Sequence, residues 1–180
     1  MTQRLWTVSN ALTMLRIALV PVFSWFAVQD TVVAGFLAMV VFLLASLTDA
    51  WDGKLARRRN EITDFGKIAD PIADKALTGA AFVILSMQGH LPWWVTALVL
   101  VREWGITIWR LRILHRVVHA AGRGGKVKTT LQITGIALAF WPADGLLGGI
   151  VQPVGLVIVW SAALVTVVTG ITYARELRAV

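Results

Sequence analysis

Residues 48–75 read TDAWDGKLARRRNEITDFGKIADPIADK, and their spacing, D-x2-D-G-x2-A-R-x8-G-x3-D-x3-D, decides how the rest of the chain is read. Asp49, Asp52, Asp70 and Asp74 stand between two apolar stretches. Carboxylates at the edge of hydrocarbon are costly unless opposite charge or metal compensates them, so they mark a working site. Asp49 and Asp52 are three residues apart, and Asp70 and Asp74 are four apart, so each pair shares one face of a helix. The segment 53–66 carries Arg57, Arg58, Arg59 and Asn60. It is expected to turn at the surface, so that the two helices return as neighbours and the four carboxylates converge. A solvated acidic–basic loop would account for any one of these aspartates. It does not account for four at helical spacing with hydrocarbon on both sides.

The surroundings are those of an integral membrane protein. Of 180 residues, 57% are hydrophobic and 15% charged, nine are Trp, and the mean hydropathy is +0.73. A soluble domain carries roughly 25% charged residues. Six apolar stretches approach the length of about 17–25 residues that spans a bilayer. They cover residues 12–28, 31–47, 66–87, 92–109, 129–141 and 149–173, predicting an all-α domain of six transmembrane helices over residues 1–180. The N-terminal MTQRLWTVSN has no A-x-A-like cleavage site after it and reads as leading into a retained first helix. The net charge of +7 reflects Lys and Arg gathered before span one, between spans two and three, between spans four and five, and after span six. The other three connections carry no Lys or Arg, which places both termini and the aspartates on the cytoplasmic side of the cell membrane. This distribution argues against nucleic acid as the partner of the positive charge. Trp93, Trp94, Trp109 and Trp141 fall at span ends, where indoles anchor to the interface. With no cysteine, disulfides and thiolate metal sites are excluded.

Four converging carboxylates repel one another, and two divalent cations cancel their charge. Oxygen donors suit Mg2+ or Mn2+, and a pair of such ions clamps displacement at phosphorus. Gly53 and Gly66 leave room for close backbone approach, and Arg57 offers a planar fork to phosphate oxygens. Lys75 is placed to pair with a nearby carboxylate, and Pro71 is expected in the first turn or so of the third helix.

This run resembles the signature of the CDP-alcohol phosphatidyltransferase family, which it matches without a gap or a substitution. The resemblance implies a six-helix membrane enzyme, often a homodimer, that moves a phosphatidyl group from a CDP-lipid to an alcohol and releases CMP. It makes Asp49, Asp52, Asp70 and Asp74 the metal ligands and Asp74 also the base for the incoming hydroxyl. Asp49, Asp52, Gly53, Ala56, Arg57 and Gly66, with Thr13 of the opening helix, would line the CDP-lipid site.

Three further segments are similar to the branch of that family that uses glycerol 3-phosphate, the phosphatidylglycerophosphate synthases. SNALTMLRIALVPVF matches its opening helix at Asn10, Thr13, Arg16 and Pro21, with Ser9 where a proline is common. VREWGITIWR matches at Arg102, Glu103 and Arg110, and GGKVKTTLQ at Gly125, Lys126, Lys128, Thr129 and Gln132. The similarity spans residues 9–132, and the last helix adds little beyond hydrophobicity. Arg16, Arg102, Arg110, Lys126, Lys128, Gln132 and Arg175 are thus the candidates to hold the acceptor's phosphate. Basic residues in such places also set topology or bind anionic lipid heads, the simpler reading for Arg112, Arg116 and Arg123. His115 and His119 lie four apart, a spacing that would suit a metal but that an amphipathic surface segment explains more simply. The alternatives are another acceptor (inositol phosphate, serine or phosphatidylglycerol) or a small cation transporter. A transporter needs polar groups near the bilayer midplane, whereas these aspartates lie at one edge.

Overall fold

The computed structural model describes residues 7–59, 64–113 and 123–178. Among these the chain forms six α-helices and no strand. The helices are α1 (Val8–Ala27), α2 (Val32–Arg59), α3 (Asp64–Met87), α4 (Trp93–Ile113), α5 (Arg123–Ala139) and α6 (Gly148–Arg178).

Local chemistry sets several boundaries. Thr7 caps α1 by accepting the Asn10 amide at 3.2 Å, and Thr31 accepts the Ala34 amide at 3.2 Å where α2 begins. At the end of α3 the chain turns through Gly89, whose φ of 77° is left-handed. The His90 amide donates to the Leu85 carbonyl at 2.9 Å and the Gly89 amide to that of Ser86 at 3.1 Å, so the last carbonyls are satisfied.

Two elements depart from the sequence reading in a way that matters. The second helix does not stop near residue 47: its apolar part, Val32–Thr48, continues as one helix to Arg59. Lys, Leu, Ala and Arg are strong helix formers, and together they outweigh the roughly 1 kcal/mol that a lone Gly53 costs. At 1.5 Å per residue α2 is about 42 Å long, so its second half projects beyond its apolar part. Gly53, Ala56 and Arg57 are therefore helical, and residues 60–63, between α2 and α3, lie outside the described residues. Likewise α5 begins at Arg123, so Lys126 and Lys128 belong to a helix and not to the preceding connection. Gly66 is buried in the first turn of α3, and Pro71 lies in the interior of that helix. There it deprives the carbonyl four residues earlier of its usual donor.

The most extensive contact joins α5 to α6, followed by α1 with α2 and α1 with α3. Glycine makes the first possible: a Cβ at Gly135 would stand 2.8 Å from the Val159 amide nitrogen. Phe23, Phe42 and Phe140 pack at the junction of α1, α2 and α5, with ring centroids 5.5 and 5.2 Å from Phe23. Outside, Trp25, Val33, Val101, Val157 and Leu164 are more than half exposed. Such a surface suits hydrocarbon better than water. The windows Asn10–Ala27 and Gly148–Gly170 are long and apolar enough to cross a membrane.

Candidate active site

The inner face of α1 changes character along its length. Asn10, Thr13 and Arg16 are buried at spacings of three, and the same face continues as Phe23 and Ala27. The Thr13 hydroxyl donates to Asp70 Oδ1 on α3. Thr13 thus fixes one oxygen of a proposed ligand carboxylate, an outer support of the kind that orients metal ligands.

One turn along α3, Asp74 shares the face of Asp70 and keeps its side chain a third exposed. Lys75 Nζ lies 2.6 Å from Asp74 Oδ2 and 3.0 Å from Glu103 Oε2 on α4. The pairing expected for Lys75 is therefore made, and made twice. Glu103 Oε1 in turn receives Arg102 Nη1 at 3.0 Å and Lys128 Nζ of α5. Arg102 Nη2 donates to Thr169 Oγ1 of α6 at 3.0 Å, while that hydroxyl donates to the Val165 carbonyl at 2.7 Å. A Cβ at Gly170 would stand 3.2 Å from Arg102 Cγ, so the glycine leaves the lane that the arginine occupies. One connected network, Asp74–Lys75–Glu103–Lys128 with Arg102 and Thr169, ties α3, α4, α5 and α6 together.

Several candidates are brought together here: Thr13 with Asp70, and Asp74 with Arg102 and Lys128 through Lys75 and Glu103. Arg16 is wholly buried one turn beyond Thr13, and Gln132 is buried one turn beyond Lys128. Asp49, Asp52, Gly53, Ala56 and Arg57 lie on α2, Arg110 on α4, Lys126 on α5 and Arg175 on α6, but their side chains are outside the described residues. His115, Arg116 and His119 lie outside them altogether. Sequence reasoning passed over Thr169 and Gly170, because a hydroxyl and a glycine in an apolar helix carry no signal until a charged neighbour is known. Glu103 was visible only as a charge inside a span.

The described donors fit a hard divalent cation: Asp70 and Asp74 offer carboxylate oxygens on one helix face, partly open, one of them held by a hydroxyl. Among the described residues no group of three or more Asp, Glu, His or Cys side chains converges. The remaining donors that the pattern supplies are Asp49 and Asp52 of α2.

A cavity of about 440 Å³ lies at the other end of the helices, lined in part by Gln29, Asp30, Gln88, His90, Asp144 and Gln152. Its lining includes no Lys or Arg.

Comparison with known proteins agrees with this geometry. Residues 6–168 match the model of the CDP-alcohol phosphatidyltransferase family. The chain is 43% identical over 179 residues to a Mycobacterium tuberculosis (strain H37Rv) protein named "Probable phosphatidylglycerophosphate synthase", covering 97% of this chain and 84% of that one. It is 36% identical over 172 residues to the CDP-diacylglycerol–glycerol-3-phosphate 3-phosphatidyltransferase of Rickettsia felis, covering 94% of each. A protein of the same name from Shigella flexneri serotype 5b is 34% identical over 178 residues, covering 96% and 95%.

Proposed function

This chain belongs to the CDP-alcohol phosphatidyltransferase family, and we propose that it transfers the phosphatidyl group of CDP-diacylglycerol to glycerol 3-phosphate, giving phosphatidylglycerol phosphate and CMP. The names of its relatives support that acceptor. The observation that carries the reading is the juxtaposition on α3 and its neighbours. Asp70 and Asp74 share one face, and Asp74 is ion-paired into a buried cluster of Lys75, Arg102 and Lys128. Carboxylates for metal and cations for phosphate stand side by side, as phosphoryl-type transfer to a phosphate-bearing alcohol requires.

Asp49, Asp52, Asp70 and Asp74 would hold two divalent cations, Mg2+ or Mn2+, which when bound would supply positive charge against the pyrophosphate and make CMP a better leaving group. Thr13 orients Asp70. Asp49, Asp52, Gly53, Ala56, Arg57 and Gly66 line the nucleotide side, while Arg16, Arg102, Arg110, Lys126, Lys128, Gln132 and Arg175 supply the acceptor side. Asp74 accepts the proton of the glycerol 3-phosphate hydroxyl as that oxygen bonds to the lipid-bearing phosphorus. The bond from that phosphorus to the bridging oxygen breaks, and CMP leaves with the electron pair. The diacylglycerol tails stay in the bilayer.

In this reading residues 1–180 form one domain of the cell membrane, with six spanning helices, both termini and the aspartates cytoplasmic, and a homodimer as the assembly. The test is CMP release from CDP-diacylglycerol with each candidate alcohol. Release with glycerol 3-phosphate in Mg2+ or Mn2+, abolished by EDTA, is expected. Release with serine or inositol phosphate alone would overturn the acceptor, and release with no alcohol would overturn the reaction.

A further inference from the structure

Glu103 is 5% exposed in a helix read as membrane-spanning, a place where a carboxylate needs a reason. It gathers cations from three helices: Lys75 of α3 and Arg102 of α4, each at 3.0 Å, and Lys128 of α5. Three long, like-charged side chains repel and have many rotamers. A shared carboxylate holds all three tips within reach of its two oxygens. One negative charge against three positive ones leaves two over, the charge of a phosphate monoester dianion. Asp74 draws on Lys75 as well, but its charge belongs to the metal set in the proposed reaction. Two buried donors nearby have no hydrogen-bond partner among the described residues: Arg102 Nε, and Nε2 of Gln132, one turn along α5 from Lys128. Buried donors left without acceptors are costly, and a ligand rich in acceptor oxygens relieves them.

Resting on the reading that the acceptor is glycerol 3-phosphate, we propose that Glu103 is the positioning residue of the acceptor site. It sets Lys75, Arg102 and Lys128 as a preformed cradle and makes the enzyme select phosphate-bearing over neutral alcohols. Glu103 does not touch substrate; it acts through the cations it orders.

The experiment uses the full chain in detergent or nanodiscs and measures both Michaelis constants and the melting midpoint for wild type, Glu103→Gln, Glu103→Asp, Lys128→Gln and the Glu103→Gln/Lys128→Gln double variant. The expected result for Glu103→Gln is a KM for glycerol 3-phosphate raised by about tenfold or more. KM for CDP-diacylglycerol and kcat should stay close to wild type, the signature of lost uniform binding. Glu103→Asp should recover part of the loss, and the double variant should be little worse than Glu103→Gln alone while clearly worse than Lys128→Gln alone, because Lys128 acts where Glu103 holds it and Glu103 also holds Lys75 and Arg102. If Glu103→Gln does not fold, the double variant, which removes opposite charges together, carries the same test. An unchanged or lower KM for glycerol 3-phosphate, a lower melting midpoint with both KM values intact, or additive losses in the double variant would each overturn the proposal. Wild type that releases no CMP with glycerol 3-phosphate would instead overturn the function on which it rests.

Discussion

At one end of the bundle, Thr13, Asp70, Asp74, Lys75, Arg102, Glu103, Lys128 and Thr169 join α1, α3, α4, α5 and α6 through ion pairs and side-chain hydrogen bonds. At the other end polar side chains line a cavity, and several of them bond to backbone carbonyls. Gln88 Nε2 donates to the Ala27 carbonyl at 2.9 Å, and Trp141 Nε1 to that of Leu146 at 2.8 Å. The first ties the end of α3 to the end of α1 and the second closes a local turn, and both are complete within the protein. The first end is different: Lys75, Arg102 and Lys128 converge on Glu103, Lys75 pairs with Asp74 as well, and the cluster keeps an excess of positive charge. Polarity at a helix end is ordinary, while a partly buried cluster with excess positive charge is the place the proposed function assigns to an anionic substrate.

That contrast can be broken by substitution. Asp74→Asn should lower CMP release by roughly 10²–10⁴-fold, the usual worth of a positioned base. Asp144→Asn at the opposite end should leave it near wild type; equal losses would erase the distinction between the ends. Between them, Phe23→Ala should cost about 3–5 kcal/mol of stability by opening a cavity among the aromatic rings, read as a lower unfolding midpoint with substrate KM values intact. Thr13→Val, which keeps shape but removes the donor to Asp70, should raise the Mg2+ concentration for half activation by about 10–100-fold, and Thr13→Ser should restore much of it. Smallest of all, Gly170→Ala should raise KM for glycerol 3-phosphate by about a few-fold, on the order of 1 kcal/mol, by crowding Arg102. A change in KM for CDP-diacylglycerol instead would place Arg102 on the nucleotide side.

Much of the working end was legible because charge inside an apolar chain is rare. The aspartate spacing showed which carboxylates share a helix face, and Asp70 with Asp74 does so on α3. Lys75 was read as a carboxylate partner and is one. Arg102, Glu103 and Lys128 drew notice for the same energetic reason. Helix ends were harder. The apolar stretch ending near Thr48 suggested a stop, but apolarity ends where hydrocarbon ends, while the backbone follows helix propensity on to Arg59. Lys128 was assigned to the edge of a connection for the same reason, although Glu103 compensates its charge in the interior.

The sequence alone determined the helical class, the gathering of four aspartates and several Lys and Arg between apolar stretches, and the pattern that joins this chain to its family. Each follows from short-range spacing or from the cost of putting charge into an apolar medium, and both are written residue by residue. Only the tertiary structure decided that Thr13 of α1 meets Asp70 of α3, that Glu103 gathers cations from three helices, and that Thr169 and Gly170 of α6 seat Arg102. Glu103 and Lys128 lie 25 residues apart along the chain, Thr13 and Asp70 57, and Arg102 and Thr169 67. No local pattern encodes which of many polar side chains will face one another once helices pack, and packing alone supplies that choice.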